Sequence, residues 1–342
     1  MKKMLNTLYI TTPESYIKRD GENIVVTVEG KPPFRAPIHL FESIVYFGYL
    51  GASPGAIALC MQHGVTISMH SQSGRFIGRV EGPVSDNVLL RRQQYRLADI
   101  EPCNALVSQN IVLAKLLNSR TVLQRARRDH AEKIGSSLDR AIDRLQDIGK
   151  RESAETRLNI IRGYEGDGAQ AYFGVFNAII LQDKQFFFVD GRTRRPPLDP
   201  VNALLSYMYS ILAHDCKSAL ESVGLDPAVG FLHRDRPGRS SLALDLMEEF
   251  RACLVDRFVV SLINRKQLDR KDFVIRENGA VAIKDEARKL ILAAWQDRKQ
   301  DSVYHPWIKE SVQIGLLPYV QALLMARYVR GDLDIYPAYI WR

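Results

Sequence analysis

Cysteine is scarce and scattered: Cys60, Cys103, Cys216 and Cys253 form no Cys-x-x-Cys pair, which argues against a disulfide framework and against a thiolate zinc site. No run of 18 or more apolar residues occurs, and the start "MKKMLNTLYITTPES" has two lysines but no long apolar stretch of a secretory signal. A cytoplasmic protein without a membrane span is therefore expected. A hydrolase triad is not expected: the one Gly-x-Ser-x-Gly match, Gly51 to Gly55, centres on Ser53, which reads as a helix cap. Internal repeats, low-complexity tracts and a basic tail are absent as well.

What is present is a chain of 342 residues, 46% hydrophobic, long enough for two domains with a sizeable core. The net charge of +8 favours an acidic partner such as nucleic acid. Residues 1–84 hold 8 bases against 6 acids and the remainder 39 against 33, so the excess is spread evenly and a DNA face has to come from folding.

Up to about Val80 the chain is cut into short β-like runs such as "NIVVTVEG", "SIVYFGYLG" and "GVTISMHS", separated by Gly, Pro, Ser and Asn. One helix interrupts them at "PGAIALCMQHG", where Ser53 can cap and Gly64 can stop it. After a linker at "EGPVSDN", apolar residues recur at three-and-four spacing between charges, the mark of helices. The expected fold is α+β with two domains: a small, mostly β domain over 1–84 and a larger all-α catalytic, DNA-binding domain over 85–342.

Three stretches carry candidate chemistry. In "FLHRDRPGRSSLALDLMEEFR", Ser240 or Ser241 can cap a helix after the Pro237-Gly238 turn. Steps of 100° put Ala243, Leu246, Met247, Phe250, Leu254 and Phe258 on one stripe, and Asp245, Glu248, Glu249 and Asp256 on the other face. That acidic face is either solvated or holds a divalent cation that offsets its like-charge repulsion. Carboxylate oxygens suit Mg²⁺ or Mn²⁺, and an added imidazole, for which His233 is the nearest candidate, favours Mn²⁺.

The second stretch, "IRGYEGDGAQAYFGVFN", sets Glu165 among glycines without the Gly-Lys-Ser/Thr ending of a phosphate loop. The glycines can instead allow close packing where a helix begins, with Tyr172, Phe173 and Phe176 inward and Glu165 at its mouth. In the third, "DGRTRRPPLDPVNALLSYMYSIL", a helix starts near Pro200 with Asp199 as its cap. Arg192, Arg194 and Arg195 precede it, and Arg234, Arg236 and Arg239 follow His233. Both arginine loops are candidate DNA-phosphate contacts or solvated loops.

"GYEGDGAQAYF", "DPVNALLSYMYSIL" and "FLHRDRPGRSSLALDLMEEFR", in this order, resemble the CRISPR-associated integrases of spacer acquisition, the first-numbered Cas proteins. "PIHLFESIVYFG" and "GAIALCMQHGVTISMHSQSGRFIGRV" extend the likeness to that family's β domain, so it covers nearly the whole chain. "AAWQDRKQDSVYHPW" and "YPAYIWR" look most like the subtype I-C branch.

The resemblance implies a metal-dependent DNA endonuclease and integrase that inserts short foreign fragments into a CRISPR array by 3′-hydroxyl attack on the repeat. Carried over residue by residue, Glu165 matches the family's glutamate, His233 its histidine and Glu248 its second acid, with Mg²⁺ or Mn²⁺ between them. Some branches place aspartate where this chain has Glu248. Asp245 matches an acid that some members also place at the metal, whereas Glu249 matches no ligand and is expected to be the solvated one of the three. The implied partners are double-stranded DNA, a second copy through the β domain, and the ferredoxin-like second-numbered Cas protein in a heterohexamer. The alternatives are a noncatalytic nucleic-acid-binding scaffold and a nuclease of branched repair intermediates.

Overall fold

In the computed structural model, residues 7–41, 43–71, 76–80, 82, 87–193 and 196–341 are described, Phe76 by its backbone alone. The chain opens with β1 (Thr7–Ile10), a hairpin of β2 (Tyr16–Asp20) and β3 (Asn23–Thr27), β4 (Phe34–Pro37) and β5 (Ser43–Tyr46). Helix α1 (Pro54–Gln62) then leads to β6 (Thr66–His70) and β7 (Phe76–Val80). Strands β2, β3 and β4 make an antiparallel sheet, while a second sheet runs in the order β1-β5-β6-β7.

In that second sheet β1 pairs with β5, and β5 with β6, in parallel: Tyr9 faces Val45, and Val45 faces Ser68. Parallel neighbours need a crossover. The three-stranded sheet supplies the first and α1 the second. Between them lies a core of Ile10, Ile17, Ile24, Ile38, Ile44, Leu59 and Ile67. Tyr46 is buried there because its hydroxyl donates to Ser15 O (2.6 Å) and accepts from Gly51 N–H (2.9 Å). The Ser53 side chain accepts from Ala56 N–H, and Gly64 turns the chain at φ +67°, as the sequence indicates.

Helices follow: α2 (Val88–Asp99), α3 (Glu101–Asp129), α4 (Ala131–Ile134), α5 (Asp139–Glu152), α6 (Leu158–Phe173), α7 (Phe176–Ile179), α8 (Pro200–Ser222) and α9 (Ser241–Glu248). A π-helical turn over Arg251–Asp256 joins α9 to α10 (Arg257–Asn264), and a hairpin of β8 (Phe273–Ile275) and β9 (Val281–Ile283) comes next. After α11 (Asp285–Gln300) come β10 (Ser302–His305), β11 (Glu310–Gln313) and α12 (Leu317–Arg330). Helix α3 packs against α5, α6, α9 and the π turn, and α8 packs against α9, α12 and the same turn. Asp199 caps α8 through Asn202 N–H (2.7 Å), and most of α8 is buried, Val201, Leu204, Leu205, Met208, Leu212 and Leu220 among its buried residues.

The chain forms two units, but not as two continuous halves. One takes the described residues of 1–85 together with Lys284–Asp301 and Gln313–Leu316. The other takes the described residues of 86–283, Ser302–Val312 and those from Leu317 onward. The boundary near residue 84 is where the periodicity changes. That α11 belongs with the strands is a correction to the continuous 85–342 domain: its stripe of Ala287, Ile291, Leu292 and Trp295 is buried in the strand-rich unit, where Lys299 Nζ also reaches Tyr9 Oη (3.4 Å). Periodicity reveals which face of a helix is buried but not against what. The second unit is helical but not all-α, since it also holds the β8–β9 hairpin, β10 and most of β11. Most of the "EGPVSDN" linker lies outside the described residues. No helix among the described residues is long and apolar enough to cross a membrane, and no disulfide joins any of the four cysteines.

Candidate active site

Buried Gln94 of α2 pins the segment before His233: its amide donates to Asp226 O (2.7 Å) and Val229 O (2.8 Å) and accepts from Asp226 N–H (2.9 Å). The chain then passes flat against α9 at Gly230, where a Cβ would fall 2.7 Å from Asp245 Oδ2 and 2.9 Å from the Ser241 backbone. Only glycine allows that approach. The next three amides turn onto one carboxylate: Phe231 N–H (2.6 Å) and Leu232 N–H (3.0 Å) donate to Asp245 Oδ2, and His233 N–H (2.9 Å) to Oδ1. His233 Nδ1 lies 2.6 Å from the same Oδ1. With the Nδ1 proton directed at Asp245, the imidazole lone pair is left on Nε2.

Glu165 stands in the middle of α6, which starts at Leu158, well before the glycines, and not at the helix mouth expected from them. The turn begins earlier because the Glu155 carboxylate accepts from the N–H groups of Thr156 (3.0 Å) and Arg157 (2.9 Å). Gly168 does serve close packing, since a Cβ there would run into Leu116 Cδ2 of α3. Gly163 and Gly166 face open space.

Glu248 ends α9 and is 3% exposed. The two acids meet through a residue that the sequence reading did not single out. Lys115 Nζ of α3 is ion-paired with Glu165 Oε1 and lies 2.7 Å from Glu248 Oε2. Arg251 holds the other oxygen, Oε1, at 3.0 Å. Burial pushes the Glu248 carboxyl up, but Arg251, Lys115 and His233 together hold it at about 2. Among the described residues no three His, Cys, Asp or Glu side chains stand together as a ready metal cage; a lysine occupies the space between the carboxylates. Two carboxylates drawn to one cation beside an oriented imidazole are nevertheless a donor set that fits a small hard divalent ion. The available signal for Lys115 was a lone lysine inside the apolar run "NIVLAKLLNS"; for Arg251 it was the i+3 spacing from Glu248.

Three expectations change. The acidic face is not solvated: Asp245, Glu248, Glu249 and Asp256 are all buried, as is the apolar stripe opposite. Helix α9 lies between α3, α8 and α12, so it has no solvent side. Glu249, taken as the solvated acid, is 0% exposed. It accepts from Tyr336 Oη, from Gln321 Nε2 (2.7 Å) and from Tyr339 N–H (2.6 Å), tying the C-terminal segment to the helix beside the site. Arg192 is no free loop arginine, because its guanidinium donates to Asn202 Oδ1 and lies 5.3 Å above the Tyr209 ring. Arg234 and Arg236 are exposed and Arg239 is half-buried, while Arg194 and Arg195 lie outside the described residues.

A strand-rich unit and a helical unit make up a fold also found in solved Cas1 and casposase chains. A Cas1 protein from Thermotoga maritima superposes with a TM-score of 0.80 at 21% identity, covering 96% of this chain and 98% of that one. A casposase bound to integration product gives 0.81 at 23%, covering 97% and 93%. The CRISPR associated protein Cas1 family model matches residues 8–297. "CRISPR-associated endonuclease Cas1 2" of Rhodospirillum rubrum is 50% identical over 347 residues, and "CRISPR-associated endonuclease Cas1 1" of Chlorobaculum tepidum 49% over 343, each covering 100% of both chains. The chain belongs to the Cas1 family of CRISPR-associated endonucleases.

Proposed function

We propose that Glu165, His233 and Glu248 hold a Mg²⁺ or Mn²⁺ ion, and that the chain cuts and rejoins DNA there, inserting short fragments into a CRISPR repeat. The observation that carries this reading is the convergence of acids from two helices on one cation, next to a histidine fixed by Asp245. When bound, the ion supplies Lewis-acid polarisation of the scissile phosphate. Glu165 and Glu248 would hold it, and the Arg251 contact keeps Glu248 ionised and in place. His233 Nε2 is free to bind the ion or to accept a proton from the attacking 3′-hydroxyl. Strand transfer exchanges one phosphodiester for another, so no nucleotide triphosphate is consumed.

Asp245 enters as a positioning residue rather than a ligand, since its two oxygens already receive three backbone N–H groups and the imidazole. Arg234, Arg236 and Arg239, on the loop after His233, are the proposed phosphate contacts. The proposed partners are duplex DNA, a second copy through the strand-rich unit, and two such dimers flanking the second-numbered Cas protein. In support, a chain of a Cas6-RT-Cas1--Cas2 complex has this fold, with a TM-score of 0.82 at 24% identity, covering 99% of this chain and 36% of that one. The subtype I-C branch is supported by the "AAWQDRKQDSVYHPW" and "YPAYIWR" segments.

Glu165→Ala, His233→Ala and Glu248→Ala are each expected to lower strand transfer of a labelled fragment into a repeat plasmid by at least about 100-fold. Duplex binding and circular dichroism should stay near wild type. Wild-type transfer by any of the three would overturn the assignment. One observation favours a noncatalytic scaffold: the acids are already neutralised by Lys115 and Arg251. A scaffold would bind DNA and show no carboxylate-dependent cleavage at any Mn²⁺ concentration.

A further inference from the structure

We infer that Lys115 is a built-in occupant of the cation position between Glu165 and Glu248, and that a divalent ion loads the site only by displacing it. The inference rests on the reading of those two acids as ligands. Lys115 Nζ engages one oxygen of each, Glu165 Oε1 and Glu248 Oε2, and so stands where an ion bridging the pair would be coordinated. Its side chain is only 12% exposed, and its neighbours on α3, Val112, Ala114 and Leu116, are buried and apolar. A lysine is stable in such surroundings only when paired, and these carboxylates are the partners it has.

Ammonium and divalent ion cannot share the position. Both need the same two oxygens, and a single charge beside a double charge at contact distance is strongly repulsive in a site this buried. The remaining contacts allow an exchange. Arg251 holds Glu248 by its other oxygen, so that carboxylate stays oriented when Lys115 leaves. Glu165 is 32% exposed and forms the side open to water, by which an ion can enter and the flexible lysine can swing out. The affinity of the site for its ion is thus set by a lysine that is not one of its ligands.

The test is Mn²⁺ binding at fixed pH, read from the electron paramagnetic resonance signal of free Mn²⁺, for wild type, Lys115→Met, Glu165→Gln and the double variant. Lys115→Met is expected to bind at least about tenfold more tightly than wild type, about 1.4 kcal/mol. Glu165→Gln should weaken binding in both backgrounds. Equal or weaker binding by a folded Lys115→Met overturns the displacement and leaves the metal reading standing. Binding by none of the proteins, or binding indifferent to Glu165→Gln, overturns the metal reading and the inference with it. Should Lys115→Met fail to fold, trace acetylation of the wild-type protein decides. Reactivity of Lys115, read by peptide mass spectrometry, should rise several-fold on adding Mn²⁺, and an unchanged or reduced reactivity overturns the displacement.

Discussion

Glu248 and Glu249 are neighbours in sequence with opposite surroundings. Burial acts on both, but Glu248 is met by Arg251, Lys115 and His233 and is held at about 2. Glu249 is met only by the neutral donors of Tyr336, Tyr339 and Gln321, and burial pushes it up to about 7. One acid is kept charged between Lys115 and Arg251, and the other fastens the chain end. Gln321 also receives His305 (2.9 Å), and Asn118 of α3 bonds Glu249 O (2.7 Å), Tyr339 O (2.8 Å) and Trp341 N–H (2.7 Å). Removing the carboxylate in Glu249→Ala leaves the buried Tyr336 hydroxyl and Tyr339 N–H without an acceptor, each costing about 1–3 kcal/mol when unpaired, while Gln321 Nε2 keeps Tyr336 Oη (2.9 Å) and Pro337 O (3.1 Å). We expect a loss of about 2 kcal/mol or more in urea unfolding; a change below 1 kcal/mol would show that water replaces the carboxylate without penalty.

At the scale of elements, α6 is both platform and spacer. Its glycines are not equivalent. At Gly168 an added methyl meets Leu116 of α3, whereas at Gly163 and Gly166 it meets nothing. Overpacking costs about 1–3 kcal/mol, and replacing an exposed helical glycine by alanine gains about 0.5–1 kcal/mol. Gly168→Ala should therefore lower the thermal midpoint and Gly163→Ala raise it, as differential scanning calorimetry can read. The same direction of change in both would contradict the packing. The π turn after α9 also belongs to this scale. Its wider pitch breaks the 100° steps on which a single apolar stripe through Phe258 was based, and it begins at Arg251, the residue that faces Glu248.

For the whole molecule, the instructive group is one the site does not use. Glu152, at the end of α5, is fully buried, and neither carboxyl oxygen has a hydrogen-bond partner among the described residues. Burial pushes its carboxyl up to about 8 from 4.5. A folded value above the unfolded one means that the native state binds the proton more tightly. The stability this contributes is complete below pH 4.5 and is lost as pH rises through about 8. Glu249, also raised, has the same sign. Between pH 5 and 9 the wild type should lose stability to urea, and Glu152→Gln, which cannot ionise, should flatten that fall in part. Parallel profiles for the two proteins would mean that Glu152 is already ionised when folded.

Helix and strand classes, the change of character near residue 84, the caps at Ser53 and Asp199, and Glu165, His233 and Glu248 as candidates were all legible in the sequence. Each depends on local chemistry, on periodicity, or on motifs whose order survives in the linear chain. The partners of those residues were not legible. Lys115 lies 50 residues from Glu165, and Tyr336 lies 87 from Glu249. No periodicity links positions so far apart. A helix with acids on one face reads as amphipathic until it is known that protein covers both faces, and only the packing of α3, α8 and α12 around α9 supplies that fact. By itself the sequence singled out the side chains that are candidates for the chemistry. Burial and charge in three dimensions decided which of them meet, and which cation stands between them.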